Sequence, residues 1–320
     1  MLNRLIGNAR SFFYISDSFK QYLHWILTFG TILVSIWFIG GKVYSGWNTI
    51  SAAYIAPDIP RLLISWLCIT ASTLLGAWEW ILLVNALGGH LKTVTGIRIH
   101  LMSTLSKYVP GYIWPYFNKT HLAVRHGVPI NIAIFSVVGE LVIVYLTGIL
   151  ILLLSLLIDG LIAETARNTL AKVECVVAFL IVAFVLAYVG SYRLVFSKYK
   201  NTVKKKVVFV IILVSLTWCL LGLGFYMLDT SIKPSSGNPW KLLAGLIIAL
   251  LGGQLVLFAP MGIGVREAIL VATLDINKPA WLIVIMALML RFEMILAEVV
   301  STLLAVTWDV VKRRPNNSKR

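Results

Sequence analysis

Within a largely hydrophobic sequence, the stretch Ala259-Pro260-Met261-Gly262-Ile263-Gly264-Val265-Arg266-Glu267-Ala268 gathers two glycines, a proline, an arginine and a glutamate. Gly262 and Gly264 permit backbone angles closed to other residues, Pro260 cannot donate to a preceding helical turn, and a helix can begin at Val265. The N-terminus of such a helix, at Gly264 and beside Arg266, is chemistry for holding an anion such as a phosphate. The plainer reading is a loop between two membrane helices, and a short glycine spacing does not choose between them.

Further ionisable residues sit inside apolar runs, where charge is costly and marks a site or a pairing partner. Glu79 lies about nine residues, or roughly 13 Å at helical rise, into one such run. Glu140 has a similar depth in another. Arg291 lies in the last run, with Glu298 seven positions later on nearly the same helical face. A structural role predicts Arg291 paired with Glu298 or Glu140, and Glu79 hydrogen-bonded at a helix contact. Glu293 is turned away from Arg291 and points toward another helix. Trp78, Trp80, Trp114 and Trp240 suit the membrane interface or large packing contacts. His90, His100, His121 and His126 show no ligand-like spacing, and no metal site or cofactor is expected. Cys68, Cys175 and Cys219 are far apart within apolar runs, which predicts packing rather than disulfides or zinc.

The elements that must position these groups are membrane helices. With 59% hydrophobic and 13% charged residues in 320, the composition is that of a polytopic all-α integral membrane protein. The net charge of +15 lies mostly between apolar runs and at the ends of the sequence, so nucleic acid is not an expected partner. Six runs are long enough to span, at roughly 22–40, 62–85, 131–158, 172–190, 207–228 and 280–308. Two more, at 93–126 and 241–275, are broken by proline and glycine. Lysine and arginine collect before residue 21, around 92–125, across 191–206 and after 311, which places these regions and both termini in the cytoplasm. The broken segments are then re-entrant hairpins entering from opposite faces, Pro110 and Gly111 forming the turn of the first and Pro260 that of the second. Span, hairpin and span repeat with inverted orientation, the sequence pointer to a transporter's central site. An eight-span arrangement is the alternative. The organisation is an interfacial or cytoplasmic segment 1–21, one membrane domain 22–308 and a basic tail 309–320.

Lys107-x-x-Pro110-Gly111-x-x-Trp114, His121-Leu122-Ala123-x-x-x-x-Gly127-Val128, Glu140, Pro260-x-Gly262-x-Gly264-Val265-Arg266-Glu267 and Leu290-Arg291, in that order, resemble the lysylphosphatidylglycerol synthetase transmembrane-region family. That flippase-like membrane domain also occurs alone, often beside polysaccharide and glycosyltransferase genes. The resemblance covers roughly residues 60–308. Two positions depart from it: Met261 stands where the family often has glycine, and Leu141 where it has an arginine beside the membrane glutamate. The second departure removes an expected partner of Glu140. No segment resembles the synthase domain, so lipid aminoacylation is not implied.

The resemblance implies a translocase for an anionic phospholipid or polyprenyl-phosphate-linked lipid in a prokaryotic cytoplasmic (inner) membrane. Arg266, Arg291 and the glycines Gly262 and Gly264 are expected to hold the phosphate, with Lys107 and Arg125 drawing the head group in from the cytoplasmic leaflet. Glu79, Glu140, Glu267 and Glu298 are expected to balance charge or couple transport. The alternatives are an integral membrane glycosyltransferase and a non-catalytic scaffold that docks a glycosyltransferase or other lipid-modifying enzyme through the basic loop 191–206.

Overall fold

The computed structural model describes residues 30, 33–45, 57–108, 113–164, 201–232, 238–256, 260–274 and 278–313. Pro110, Gly111, the expected span 172–190, most of the loop 191–206 and the segment 1–21 lie outside the described residues, as does the side chain of Pro260.

Among the described residues the chain is helical, without strands. A helical stretch covers residues 33–45. Helix α1 (Ile59–Ala86) is followed by α2 (Thr93–Thr104), a 3-10 turn (Leu105–Tyr108), α3 (Trp114–Arg125) and α4 (Ile130–Glu164). Then come α5 (Asn201–Ile232), α6 (Pro239–Leu255), a second 3-10 turn (Pro260–Gly262), α7 (Val265–Leu274) and α8 (Ala280–Arg313). Ile59–Ala86, Ile130–Gly160 and Lys205–Ile232 are long and apolar enough to cross a membrane, and Pro239–Leu255 is a shorter apolar helix. This is the make-up of an integral membrane protein.

Local chemistry sets the helix ends. Asp58 caps α1, its carboxylate accepting from Arg61 N at 3.3 Å, with Pro60 in the first turn. Asn238 caps α6 by accepting from Trp240 N at 3.0 Å, and Pro239 fills the first helical position, where no amide donor is needed. Gly127, at φ +88°, stops α3 and lets the chain turn into α4.

α1 and α5 pack antiparallel along their length. Asp58 N donates to Ser231 O at 2.9 Å and Arg61 Nη1 to Thr230 O at 2.8 Å at one end. Farther along, Gly224 lets Ile69 and the Ser65 carbonyl approach, since a Cβ there would lie 3.1 and 3.2 Å from them. The remaining helices surround this pair in a repeated pattern. α1 packs on α2 as α5 does on α6, and α2 on α3 as α6 does on α7. α3 packs on α4 as α7 does on α8, and α2 on α8 as α6 does on α4. Exchanging α1–α4 with α5–α8 leaves the packing pattern unchanged, and the two 3-10 turns touch each other. The larger core, with Phe225, Ile247 and Ile283 fully buried, joins α1 and α4 to α5–α8. A smaller one, centred on Trp80, binds α1, α2, α3 and α4 together.

Candidate functional site

The stretch that begins at Pro260 bends by an unusual backbone. Met261, Gly262 and Gly264 all have positive φ, at 54°, 67° and 82°. Met261 is thus, among the described residues, the non-glycine residue with positive φ, a geometry that costs about 1–2 kcal/mol. Gly262 lies against the backbone of α6, where a Cβ would come 2.8 Å from Gly253 O. Gly253 in turn leaves room for the Arg266 side chain, whose Cγ and Nε would lie 2.5 and 2.7 Å from a Cβ there. Ser35 in the helical stretch 33–45 closes the other side, its hydroxyl donating to Ile263 O at 2.8 Å.

A helix does begin at Val265, but its N-terminus is already occupied. Glu267 reaches back so that its Oε2 accepts from Gly264 N at 2.7 Å, as the acid of a capping box does. The expected anion cradle is therefore filled by the chain's own carboxylate. The other oxygen of Glu267 accepts from Arg291 Nη2 at 2.7 Å. This corrects the expected pairing of Arg291 with Glu298 or Glu140: seven residues separate Arg291 and Glu298 on α8, too far for direct contact, whereas α7 lies alongside and presents Glu267, which is only 1% exposed. Arg291 Nη1 is buried and has no hydrogen-bond acceptor.

Glu298, on α8, is held by the first 3-10 turn. Lys107 Nζ pairs with its Oε1, and the Tyr108 hydroxyl donates to its Oε2 at 2.9 Å. Lys107, expected to draw a head group in from the cytoplasmic leaflet, has a side chain only 14% exposed, because the turn carries it against α8. Arg125 does lie on the surface, at the end of α3.

Arg266, Glu267 and Arg291 border one cavity with Met261, Leu250 and Met294. Its volume of about 20 Å³ holds a single water. Lys107 pairs with Glu298 and Arg291 with Glu267, and Arg266 lies at the same cavity.

A second polar cluster lies between α1, α2, α3, α4 and α5. Lys119, 5% exposed, donates to both Glu140 oxygens at 3.0 and 2.8 Å. Glu140 thus takes its cation from a neighbouring helix. The Lys119 ammonium sits 5.4 Å from the centre of the fully buried Trp80 ring, whose Nε1 donates to Ser136 Oγ at 3.2 Å. The Thr217 hydroxyl donates to Glu79 at 2.5 Å, as expected for Glu79 at a helix contact. Glu293 accepts from Ser65 Oγ at 2.6 Å, on α1 and away from Arg291.

Sequence reasoning missed Lys119, Tyr108, Thr217 and His100 as members of these clusters. For Lys119 a signal existed: Glu140 is an acid inside an apolar run that lacked a cation on its own helix, and Lys119 is a basic residue on the preceding amphipathic segment. Trp78, Trp114 and Trp240 are exposed, in keeping with interfacial positions, whereas Trp80 is an interior packing residue. No protein-family model matches the chain, and no curated protein is similar enough to it to count as a relative.

Proposed function

We propose that this protein carries an anionic amphiphile, a lipid whose head group bears phosphate, from one leaflet of the membrane to the other. The observation that carries the reading is the pair Arg266 and Arg291, held by α7 and α8 at one otherwise largely aliphatic cavity, with a buried nitrogen of Arg291 lacking an acceptor. Guanidinium groups on separate elements clamp a phosphate bidentately, and a dry aliphatic wall strengthens that attraction. The likeness to the flippase-like family rests on the same residues.

In this reading the chain has six spans, and α2–α3 and α6–α7 are re-entrant hairpins entering from opposite faces. The antiparallel α1–α5 pair and the repeated packing pattern support the inverted arrangement. The hairpin turns meet at the site. An entering phosphate displaces the Glu267 carboxylate from Arg291, while separation of Lys107 and Tyr108 from Glu298 frees the first turn and enlarges the cavity. The acyl or prenyl tail stays in the bilayer throughout.

The test is reconstitution with a fluorescent phospholipid or a labelled polyprenyl phosphate. Replacing Arg266 and Arg291 together by Gln removes charged hydrogen bonds of about 1.5–3 kcal/mol each, and transport is expected to fall at least tenfold. Unchanged transport by a double variant of wild-type helix content would refute the site.

A further inference from the structure

The cluster around Glu140 contains more negative than positive charge. Glu140 takes both hydrogen bonds of Lys119 described above. Glu79, 3% exposed and near enough to feel both groups, has only a hydroxyl donor, that of Thr217. Two carboxylates therefore share one ammonium in the interior. Like charges at close range in low dielectric do not both ionise, so the arrangement calls for one more positive charge. His100 supplies an independent sign. Its Nδ1 is buried without a hydrogen-bond partner and faces Glu140 Oε1 across 3.7 Å, too far for a direct bond. The charged and titratable groups facing the pair are Lys119 from α3 and His100 from α2, with Lys107 acting on His100 from the adjoining turn; α5 contributes the uncharged Thr217.

The two clusters occupy equivalent places in the repeat. Lys119 on α3 pairs with Glu140 on α4, as Glu267 on α7 pairs with Arg291 on α8. Glu140 lies ten residues after the start of α4 and Arg291 eleven after the start of α8, so depth is kept while polarity is reversed. A small cation compensates the deficit of positive charge at the Glu140 cluster.

We propose that Glu79, Glu140, Lys119 and His100 form a binding site for one exchangeable proton, which accompanies the anion held by Arg266 and Arg291. The proton adds to a Glu79 or Glu140 carboxylate to give the neutral acid and leaves to restore the carboxylate. α2 connects the sites mechanically: it carries His100, packs on α8 and runs into the turn whose Lys107 holds Glu298. The proton site stands on its own geometry, whereas its coupling to the anion rests on the carrier reading.

Infrared spectroscopy of the purified protein in sodium-free buffer tests the site, and vesicles with an imposed pH difference test the coupling. The carbonyl stretch of a protonated carboxylic acid, shifting in D₂O, is expected in the wild type and absent from Glu79→Gln and Glu140→Gln together. Absence of any such band in the wild type, or its persistence in that double variant, would overturn the proton site; so would its replacement by sodium binding in the same protein. In vesicles, one proton per anion gives about a tenfold change in accumulation ratio per unit of pH difference, the equivalent of 1.36 kcal/mol. Any transport that Glu79→Gln retains, with wild-type helix content, is expected to be independent of the pH difference. Wild-type transport indifferent to the gradient overturns the coupling while the infrared result decides the site; absence of transport in the wild type counts against the carrier reading alone.

Discussion

Glu267 holds two loads at once, the amide at the start of α7 and the guanidinium of Arg291. Neutralising it leaves Arg291 charged and buried with no carboxylate partner. Glu267→Gln retains an acceptor for Gly264, so it isolates the lost ion pair, and a destabilisation of about 3–5 kcal/mol is expected. A double variant with Arg291→Met is expected to lose less than the sum of the two single changes, because neither charge is then stranded. Thermal unfolding of the four proteins in one detergent measures this; strict additivity would show that the two residues act independently. Lys119→Met presents the reciprocal case, stranding Glu140, and a loss of similar size is expected by the same assay.

At the scale of elements, the break between α6 and α7 depends on two backbones passing closely. Gly262 has a positive φ and lies on Gly253, whose carbonyl cannot move without disturbing α6. Gly262→Ala is expected to cost about 1–2 kcal/mol from the left-handed conformation alone, and more from the collision. A melting temperature within a degree of wild type would mean that the turn does not pack as described. Gly253→Ala differs in kind: the colliding group is the Arg266 side chain, which can swing aside, so transport should suffer more than stability.

For the whole molecule, the packing pattern that survives exchange of α1–α4 for α5–α8 predicts opposite exposure of corresponding ends. With Cys68, Cys175 and Cys219 replaced, single cysteines at Arg125 and Pro239, both exposed, are expected to react with an impermeant maleimide from opposite sides of the membrane. Reaction of both from one side would exclude the inverted arrangement.

The sequence by itself determined the membrane character, the break at Pro260 and the residues with chemistry inside apolar runs. These follow from hydropathy, from glycine and proline, and from the cost of placing charge in lipid, all of which act locally. Which charges meet was decided only by the tertiary structure. Helical spacing put Glu298 on the face of Arg291 and left Glu140 without a cation, but side chains reach only a few ångströms, and partners come from whichever helix packs alongside. Folding brings Glu267 to Arg291, Lys119 to Glu140 and Lys107 to Glu298, over separations of 24, 21 and 191 residues. The helix N-terminus at Gly264 was legible as an anion site; that Glu267 occupies it depends on a side-chain rotamer and on the α7–α8 contact, neither of which is written in the spacing.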